Sequence, residues 1–294
     1  MKIAIFGQFY QKNSLTPIET LLSVLQKKSI DVYIEAKFYA SINEEDSINI
    51  NLKDFKTFTE LDRSFDLLIS IGGDGTILRT ITYVRDLAIP IVGINTGRLG
   101  FLATIQKDNI EKAINDFING NYRISERNLL SITTIPENKD ILDFNIALNE
   151  IAVSRKNTTS MITVETRLND EYLTSYWADG LIVSTPTGST GYSLSCGGPV
   201  IMPESDSFAL TPIAPHNLNA RPLVIQNSTE IKLKVSGRED SYLVSLDSRI
   251  ATLDNDATII IKKADYKIKM IELTDESFLH TLRKKLLWGE DKRN

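Results

Sequence analysis

The apolar run Asp66-Leu67-Leu68-Ile69-Ser70 leads into Ile71-Gly72-Gly73-Asp74-Gly75-Thr76, and helix-patterned sequence begins near Ile77. Strand, glycine-rich turn, helix is the succession that most constrains the rest of the chain. Three glycines in four positions remove Cβ atoms, so backbone amides can approach a ligand closely at a helix N-terminus, an arrangement suited to phosphate. Gly-Gly and Asp-Gly pairs also make ordinary turns. Two nucleotide fingerprints are excluded. No Gly-Lys-Ser/Thr follows to make a P-loop, and Leu78 occupies the third-glycine position of a G-x-G-x-x-G pattern. What remains is a carboxylate, Asp74, among amides that can cradle phosphate.

A chain of 294 residues with 42% hydrophobic side chains can build two domains with sizeable cores. It is 24% charged and has no apolar run of membrane-spanning length, so a soluble globular protein with no membrane partner is expected. Met1-Lys2-Ile3 enters a strand directly, without signal-peptide character. The single cysteine, Cys196, excludes an internal disulfide framework and suits a reducing cytoplasm; a small packed hydrophobe is its expected role. A formal charge of -5 argues against a general nucleic-acid binder, which needs a basic face. The same charge does not steer a polyanion inward, so a phosphate ligand needs local amides, placed cations or a divalent metal. Magnesium is the expected metal.

Lys2-Ile3-Ala4-Ile5-Phe6-Gly7 reads as a buried parallel strand, and Thr16-Pro17-Ile18-Glu19 as a helix start with Thr16 as its cap. Asp31 to Glu35 suits a second strand, whereas Ser41 to Thr57 is polar enough to be a surface excursion. Ile89 to Asn95 makes another strand, followed by the loop Asn95-Thr96-Gly97-Arg98-Leu99-Gly100. Ile110, Ala113, Ile114, Phe117 and Ile118 space an amphipathic helix that Asn119-Gly120 ends. Alternating strands and helices imply an open, mostly parallel sheet whose ligands sit at the carboxyl ends of its strands. After about residue 124 the pattern changes to short β-rich runs, Leu129 to Ile135, Phe144 to Val153, Met161 to Leu168, Gly180 to Thr185, Ile231 to Val235, Tyr242 to Leu246, Thr258 to Ile261 and Lys267 to Leu273. These predict an all-β second domain. Asp275 to Gly289 predicts a helix with Phe278, Leu279, Leu282 and Leu286 on one face.

Within the β-rich half, Asp179-Gly180 runs through an apolar stretch into Thr185-Pro186-Thr187-Gly188-Ser189-Thr190-Gly191-Tyr192-Ser193-Leu194-Ser195. So many hydroxyls can bind a sugar, a base edge or phosphates, and Tyr192 offers a stacking face; a loop that spends its hydroxyls on its own backbone is the alternative. Asn149-Glu150 ends another strand-like run, with Arg155 five residues beyond the glutamate.

In order and spacing, Gly72-Gly73-Asp74-Gly75-Thr76, Asn149-Glu150 with Arg155, and Asp179-Gly180 leading to Gly191-Tyr192-Ser193 closely resemble the NAD kinase family. Ala214-Pro215-His216-Asn217-Leu218 resembles its Pro-His loop, and Leu282-Arg283-Lys284-Lys285-Leu286 with Trp288-Gly289 its C-terminal helix. The resemblance implies a Rossmann-like α/β domain over 1–124, a β-sandwich NAD-binding domain over 125–274, and a C-terminal helix and tail, 275–294, packing back on the first domain. It implies transfer of the γ-phosphate of ATP to the 2′-hydroxyl of the adenosine ribose of NAD, giving NADP, at a cleft between the domains. Asp74 is then the general base or a magnesium-placing group, with no dedicated protein metal site. Asp74, Gly75, Arg79, Asn149, Glu150, Asp179, Thr190, Gly191, Tyr192, Ser193, Leu194, Ser195 and Ala214 bind the nucleotides, with Tyr192 against adenine; Arg79 equally suits a solvated helix face. A homo-oligomer, tetramer or dimer, is implied as well.

Departures from the family pattern are Trp177 where some bacterial members have Arg, Gly191 where Ala is usual, and Arg249 in place of Gln. His216 sits beside Pro215 in a loop without a recognisable nucleophile, and a structural role is expected for it; His280 falls on the terminal helix, and neither histidine is assigned a catalytic role. A lipid kinase of the diacylglycerol or sphingosine type shares the Gly-Gly-Asp-Gly-Thr turn and a two-domain layout and is the alternative; it lacks the full Asp-Gly to Gly-Tyr-Ser stretch. A nucleotide-binding regulator without turnover would be a different class, needing the amides but not the Asp74 carboxylate.

Overall fold

The computed structural model describes residues 1–8, 15–28, 30–45, 48, 50–97, 99–157, 160–274 and 277–288. The chain forms two compact units, Met1–Glu126 with Ile268–Asn294, and Arg127–Lys267. In chain order the first contains β1 (Lys2–Gly7), α1 (Leu15–Gln26), β2 (Asp31–Glu35), α2 (Ala36–Asn43), β3 (Lys56–Phe58), β4 (Leu67–Gly72), α3 (Asp74–Val84), β5 (Ile91–Asn95), β6 (Ile105–Gln106), α4 (Ile110–Ile118) and β7 (Tyr122–Arg127). The strands β3-β2-β1-β4-β5 lie side by side and all pair in parallel. Ile3, Ala4 and Ile5 of β1 and Leu67, Leu68 and Ile69 of β4 are buried without alternation, as a parallel sheet covered on both faces requires. Helix α1 buries Ile18, Leu21, Leu22 and Leu25 at helical spacing. Helix α4 ends as its sequence predicts. Gly120, at φ 75°, donates its N–H to Phe117 O at 3.1 Å, and Asn121 donates to Asp116 O at 2.8 Å, the paired bonds of a Schellman cap.

Two expectations change here. Much of Ser41 to Thr57 is anchored rather than a surface excursion. Helix α2 starts on Glu35, whose carboxylate accepts the Phe38 N–H at 2.8 Å, and buried Ile42, Leu52, Phe55 and Phe58 bring the chain back to the sheet edge. Thr16 lies inside the first turn of α1, where its carbonyl accepts the Thr20 hydroxyl, instead of capping it.

The second unit contains β8 (Leu130–Ile135), α5 (Lys139–Leu142), β9 (Ile146–Ala147), β10 (Glu150–Ser154), β11 (Ile162–Leu168), β12 (Glu171–Ala178), β13 (Gly180–Ser184), α6 (Tyr192–Ser195), β14 (Ser207–Ile213), β15 (Leu223–Gln226), β16 (Ile231–Gly237), β17 (Ser241–Leu246), β18 (Arg249–Asp254) and β19 (Thr258–Lys263). They form two six-stranded sheets, β15-β14-β13-β10-β17-β18 and β12-β11-β16-β19-β8-β9, with antiparallel pairings throughout. Ile151, Val183 and Val244 from one sheet share a core with Val164, Leu233 and Ile259 from the other. This is the expected β-sandwich.

Strand β20 (Ile268–Leu273), expected in the β domain, instead pairs in parallel with β5 and stands between β5 and β7 in the first sheet. Its Ile271 and Leu273 belong to that core. Helix α7 (Phe278–Leu286) follows, capped by Ser277, whose hydroxyl accepts the His280 N–H at 3.1 Å. It packs on the first unit as expected, with Phe278 6.3 Å from Phe101 between ring centroids and Lys285 donating to Leu99 O. Leu279, predicted on the packed face, is exposed. The predicted helix ends, Asp275 and Gly289, and Arg98 in the second loop lie outside the described residues. Among the described residues no helix is long and apolar enough to cross a membrane.

Candidate active site

Each unit carries its own set of candidate groups. In the first, the glycine turn joins β4 to α3. Gly72 sits at φ 154°, and a Cβ there would lie 2.2 Å from Thr76 Oγ1, so this glycine is demanded by the turn itself. Gly73 and Gly75 differ: a Cβ on either meets nothing within 4 Å, so the fold alone does not require them. Asp74 is the first residue of α3, among the amides that have no acceptor within the helix. Its carboxylate faces a loop from the end of β5. Oδ2 accepts the Phe101 N–H at 2.8 Å, while Oδ1 accepts those of Leu102 and Ala103 at 3.0 and 2.9 Å. Gly100 lets this loop close in, since a Cβ there would stand 1.8 Å from Oδ1. Arg79 is exposed, one turn into α3.

The two loops at the carboxyl ends of β4 and β5 are joined. The Thr96 N–H donates to Gly72 O at 3.2 Å, and Asn95 Oδ1 accepts the Gly97 N–H at 2.7 Å. A cavity of about 760 Å³ opens there, lined by Asn95, Thr96, Gly97, Lys107 and Lys284 among others, where ligands of open parallel sheets bind.

In the second unit, Asn149 and Glu150 stand at the start of β10, and Glu150 pairs in register with Ser184 of β13. Asn149 Oδ1, Glu150 Oε2 and Ser184 Oγ are buried without a hydrogen-bond partner among the described residues. Buried polar atoms left so point to a ligand or water. Burial, and after it the Asp247 carboxylate nearby, pushes the Glu150 carboxyl up to about 8, against a hydrogen bond from the Tyr192 amide. Asp179 pairs with Arg155 at 2.9 Å. The Arg155 N–H also donates to Asp179 O at 3.0 Å, so the two residues form one corner between β12 and β13.

The hydroxyl-rich loop is divided in its roles. Thr185 Oγ1 donates to Leu148 O at 2.6 Å and accepts the Gly188 N–H, while Ser189 Oγ donates to Pro186 O and accepts the Ile201 N–H. Ser193 is fully buried, its hydroxyl 2.8 Å from that of Thr211. Those side chains build the loop. Gly188 must be glycine, because a Cβ there would be 2.0 Å from Asn149 O. The loop is thereby seated on the Asn149 corner. Thr190, Gly191 and Leu194 are half-buried, and Tyr192 and Ser195 are exposed on α6, with 46% of Tyr192 open to solvent. Ala214 is exposed too, at φ 43°. Trp177 lies 5.4 Å from the His216 ring, and the His216 N–H donates to Trp177 O. The structure thus gathers Asn149, Glu150, Thr190, Gly191 and Tyr192 around one short segment, with Ser193 behind it.

Sequence reasoning missed two groups: the Gly100–Ala103 loop that holds Asp74, and Asp247, whose carboxylate accepts the N–H groups of Leu148, Asn149 and Glu150 at 3.0, 2.8 and 3.2 Å. The signal for Asp247 was available, a two-residue polar link between alternating runs. Arg249, the departure from Gln, donates to the carbonyls of Phe144 and Ile146.

The chain matches the family model of the ATP-NAD kinase N-terminal domain over residues 3–122 and that of the ATP-NAD kinase C-terminal domain over residues 148–273. The chain belongs to the NAD kinase family. The NAD kinase of Christiangramia forsetii is 63% identical over 294 residues, all of both chains, and that of Bacteroides fragilis strain ATCC 25285 is 41% identical over 293 residues, again spanning both. An NAD kinase from Archaeoglobus fulgidus, solved with ATP, superposes with a TM-score of 0.74 at 26% identity, covering 98% of this chain and 99% of that one. Yeast NADH kinase, solved with NADH, gives 0.83 at 22% identity over 98% of this chain and 88% of its own. At that identity the likeness is one of fold. The C-terminal match removes the lipid-kinase alternative, which rested on the glycine turn and a two-domain layout.

Proposed function

We propose that this NAD kinase family member carries out its ATP-dependent phosphorylation of NAD through two sets of residues. In the first unit, Gly73 and Gly75 leave the start of α3 open to phosphate, Arg79 adds a cation, and Asp74 takes the proton of the attacking hydroxyl. In the second, Asn149, Glu150, Asp179, Thr190, Gly191, Leu194, Ser195 and Ala214 hold the dinucleotide, with the Tyr192 ring against adenine and buried Ser193 fixing the loop that carries them. The bond formed joins the ribose 2′-oxygen to the γ-phosphorus; the bond broken is that to the bridging oxygen, which leaves with its electron pair on ADP. Such a transfer needs positioning and charge stabilisation more than covalent chemistry.

The observation that carries the mechanism is the Asp74 carboxylate. Three N–H groups use three of its four lone-pair positions and fix its plane, so the remaining one, on Oδ2, is aimed before substrate arrives. The described residues hold no cluster of three His, Cys, Asp or Glu able to bind a metal. Magnesium would arrive with the nucleotide, since it binds through phosphate oxygens and keeps several of its waters. Held by the phosphates, it would neutralise their charge and leave the open position on Asp74 Oδ2 to the hydroxyl. A cytoplasmic location and a homo-oligomeric assembly complete the proposal, the latter to be read from light scattering of the purified protein.

The test supplies NAD and Mg-ATP and measures NADP, with diacylglycerol offered in parallel. NADP formation that vanishes in Asp74→Asn, with NAD still bound, is the expected result. Undiminished turnover in that variant would remove Asp74 from the chemistry.

A further inference from the structure

The link between β17 and β18 is two residues long, Asp247 and Ser248, because Leu246 pairs with Arg249. Such links favour Asn-Gly or Asp-Gly, and Asp247 stands at φ 52°, a conformation unfavourable to most residues with a Cβ. Its carboxylate repays that strain by gripping the N–H groups of Leu148, Asn149 and Glu150. Arg249 donates to the carbonyls of Phe144 and Ile146 and lies 4.7 Å over the Phe144 ring. One hairpin therefore holds backbone donors and acceptors on both sides of the gap between β9 and β10, where regular strand pairing is interrupted.

At this corner two carboxyls stand close in a buried setting, where both do not ionise readily. Asp247 has what an anion needs: three amide donors and the Arg249 guanidinium work against the burial that raises it. Glu150 has the Tyr192 amide and an oxygen buried without a partner among the described residues. We propose that Asp247 is a positioning residue for the dinucleotide, fixing the Asn149–Glu150 corner and, as the anion of the pair, keeping Glu150 a neutral acid that donates a hydrogen bond to the ligand. This rests on the reading that the corner holds NAD. The charged and titratable groups facing Glu150 are Asp247, with Arg249 behind it, and Tyr192, with Asp179 and its partner Arg155 beyond. The upward shift of Glu150, to about 8 with burial and then Asp247 as its causes, agrees with the neutral form at physiological pH.

The experiment measures KM for NAD and kcat from about pH 6 to 9 in the full chain, for wild type, Asp247→Asn and Glu150→Gln. Wild type is expected to show KM rising as Glu150 ionises, near pH 8. Removing the neighbouring charge makes ionisation easier, so in Asp247→Asn the rise begins about one unit lower, and KM recovers on acidification. A loss of packing alone would raise KM equally at every pH. Glu150→Gln cannot ionise, and its KM stays flat. A rise at the wild-type pH in Asp247→Asn, or one persisting in Glu150→Gln, with KM displaced from wild type, overturns the proposal and leaves the NAD site intact. KM identical to wild type at every pH in both variants overturns the site reading itself. If Asp247→Asn does not fold, the Glu150→Gln profile decides alone: flat supports, rising overturns.

Discussion

The chemical task proposed for Asp74 comes with a structural one, and substitutions at and around it separate the two. In Asp74→Asn one carboxylate oxygen becomes an NH2 group, which cannot accept an amide proton, so the loop at Phe101 to Ala103 loses at least one acceptor. Turnover should fall by about 10²–10⁴-fold, the usual contribution of a general base, while NAD binding persists because the residues proposed to hold the dinucleotide lie in the other unit. Equilibrium dialysis against NAD beside a turnover assay checks both. Gly100→Ala keeps the carboxylate but forces it aside, given the 1.8 Å approach. It should cost about 1–3 kcal/mol of stability, seen in denaturant melts, and lower kcat with little change in the KM for NAD. Tyr192→Ala should do the reverse, weakening NAD binding by about 1–3 kcal/mol if a stacked base is lost and leaving the melt nearly unchanged, since nearly half of Tyr192 is exposed. Glu150 adds a pH signature to stability. Its carboxyl holds a proton in the folded chain from its ordinary value of 4.5 up to about 8, where the unfolded chain has released it. Stability attributable to this group is therefore full at low pH and lost as pH rises through that window. The difference in unfolding free energy between wild type and Glu150→Gln, followed from pH 5 to 8, should shrink toward the acid end.

At the scale of elements, the ends of helices carry measurable energy. Ser277 caps α7 through its hydroxyl, and Leu287 closes the helix in the left-handed region at φ 56°. Ser277→Ala should cost about 1 kcal/mol, and because α7 packs through Phe278 and Leu282 within the first unit, the loss should appear as a lower Tm of that unit. Elements with a clear period were legible beforehand: β1, β4 and β5 as unbroken apolar runs, and α4 down to its glycine cap. Those the sequence hid have identifiable reasons. Strand β12 lies at the edge of its sheet with Tyr172, Leu173 and Trp177 exposed, so half of its alternation is missing. Strand β14 contains Pro212 paired with Leu181, and a proline lowers the expectation of a strand. The site divides in the same way. Asp74, Asn149, Glu150 and Asp179 could be nominated as candidates because their side chains belong to the motifs, whereas the loop from Gly100 to Ala103 acts through backbone N–H groups, which every residue but proline possesses. Many of the hydroxyls that looked like ligand contacts, those of Thr185, Ser189 and Ser193, are spent inside the fold.

At the scale of the whole molecule, the first unit is discontinuous in sequence, because the chain leaves it near Glu126 and returns at Ile268. The returning strand is internal to the sheet, between β5 and β7, so the unit's core is incomplete until Ile268 to Leu273 have been made. Ile268, Met270, Ile271 and Leu273 are buried. Their removal would withdraw roughly 1.5–3 kcal/mol of burial per side chain, a sum comparable with the total stability of a typical domain, about 5–15 kcal/mol. The second unit, continuous from Arg127 to Lys267, has its own core. A chain stopped after Lys267 should therefore lose the first unit and keep the second. Limited proteolysis read by mass spectrometry should yield a resistant fragment bounded near Arg127 and Lys267, with residues before it digested to peptides. Protection of Lys2 to Arg123 in the shortened chain would mean that the parallel sheet stands without β20, and that the return of the chain serves the site and not the fold.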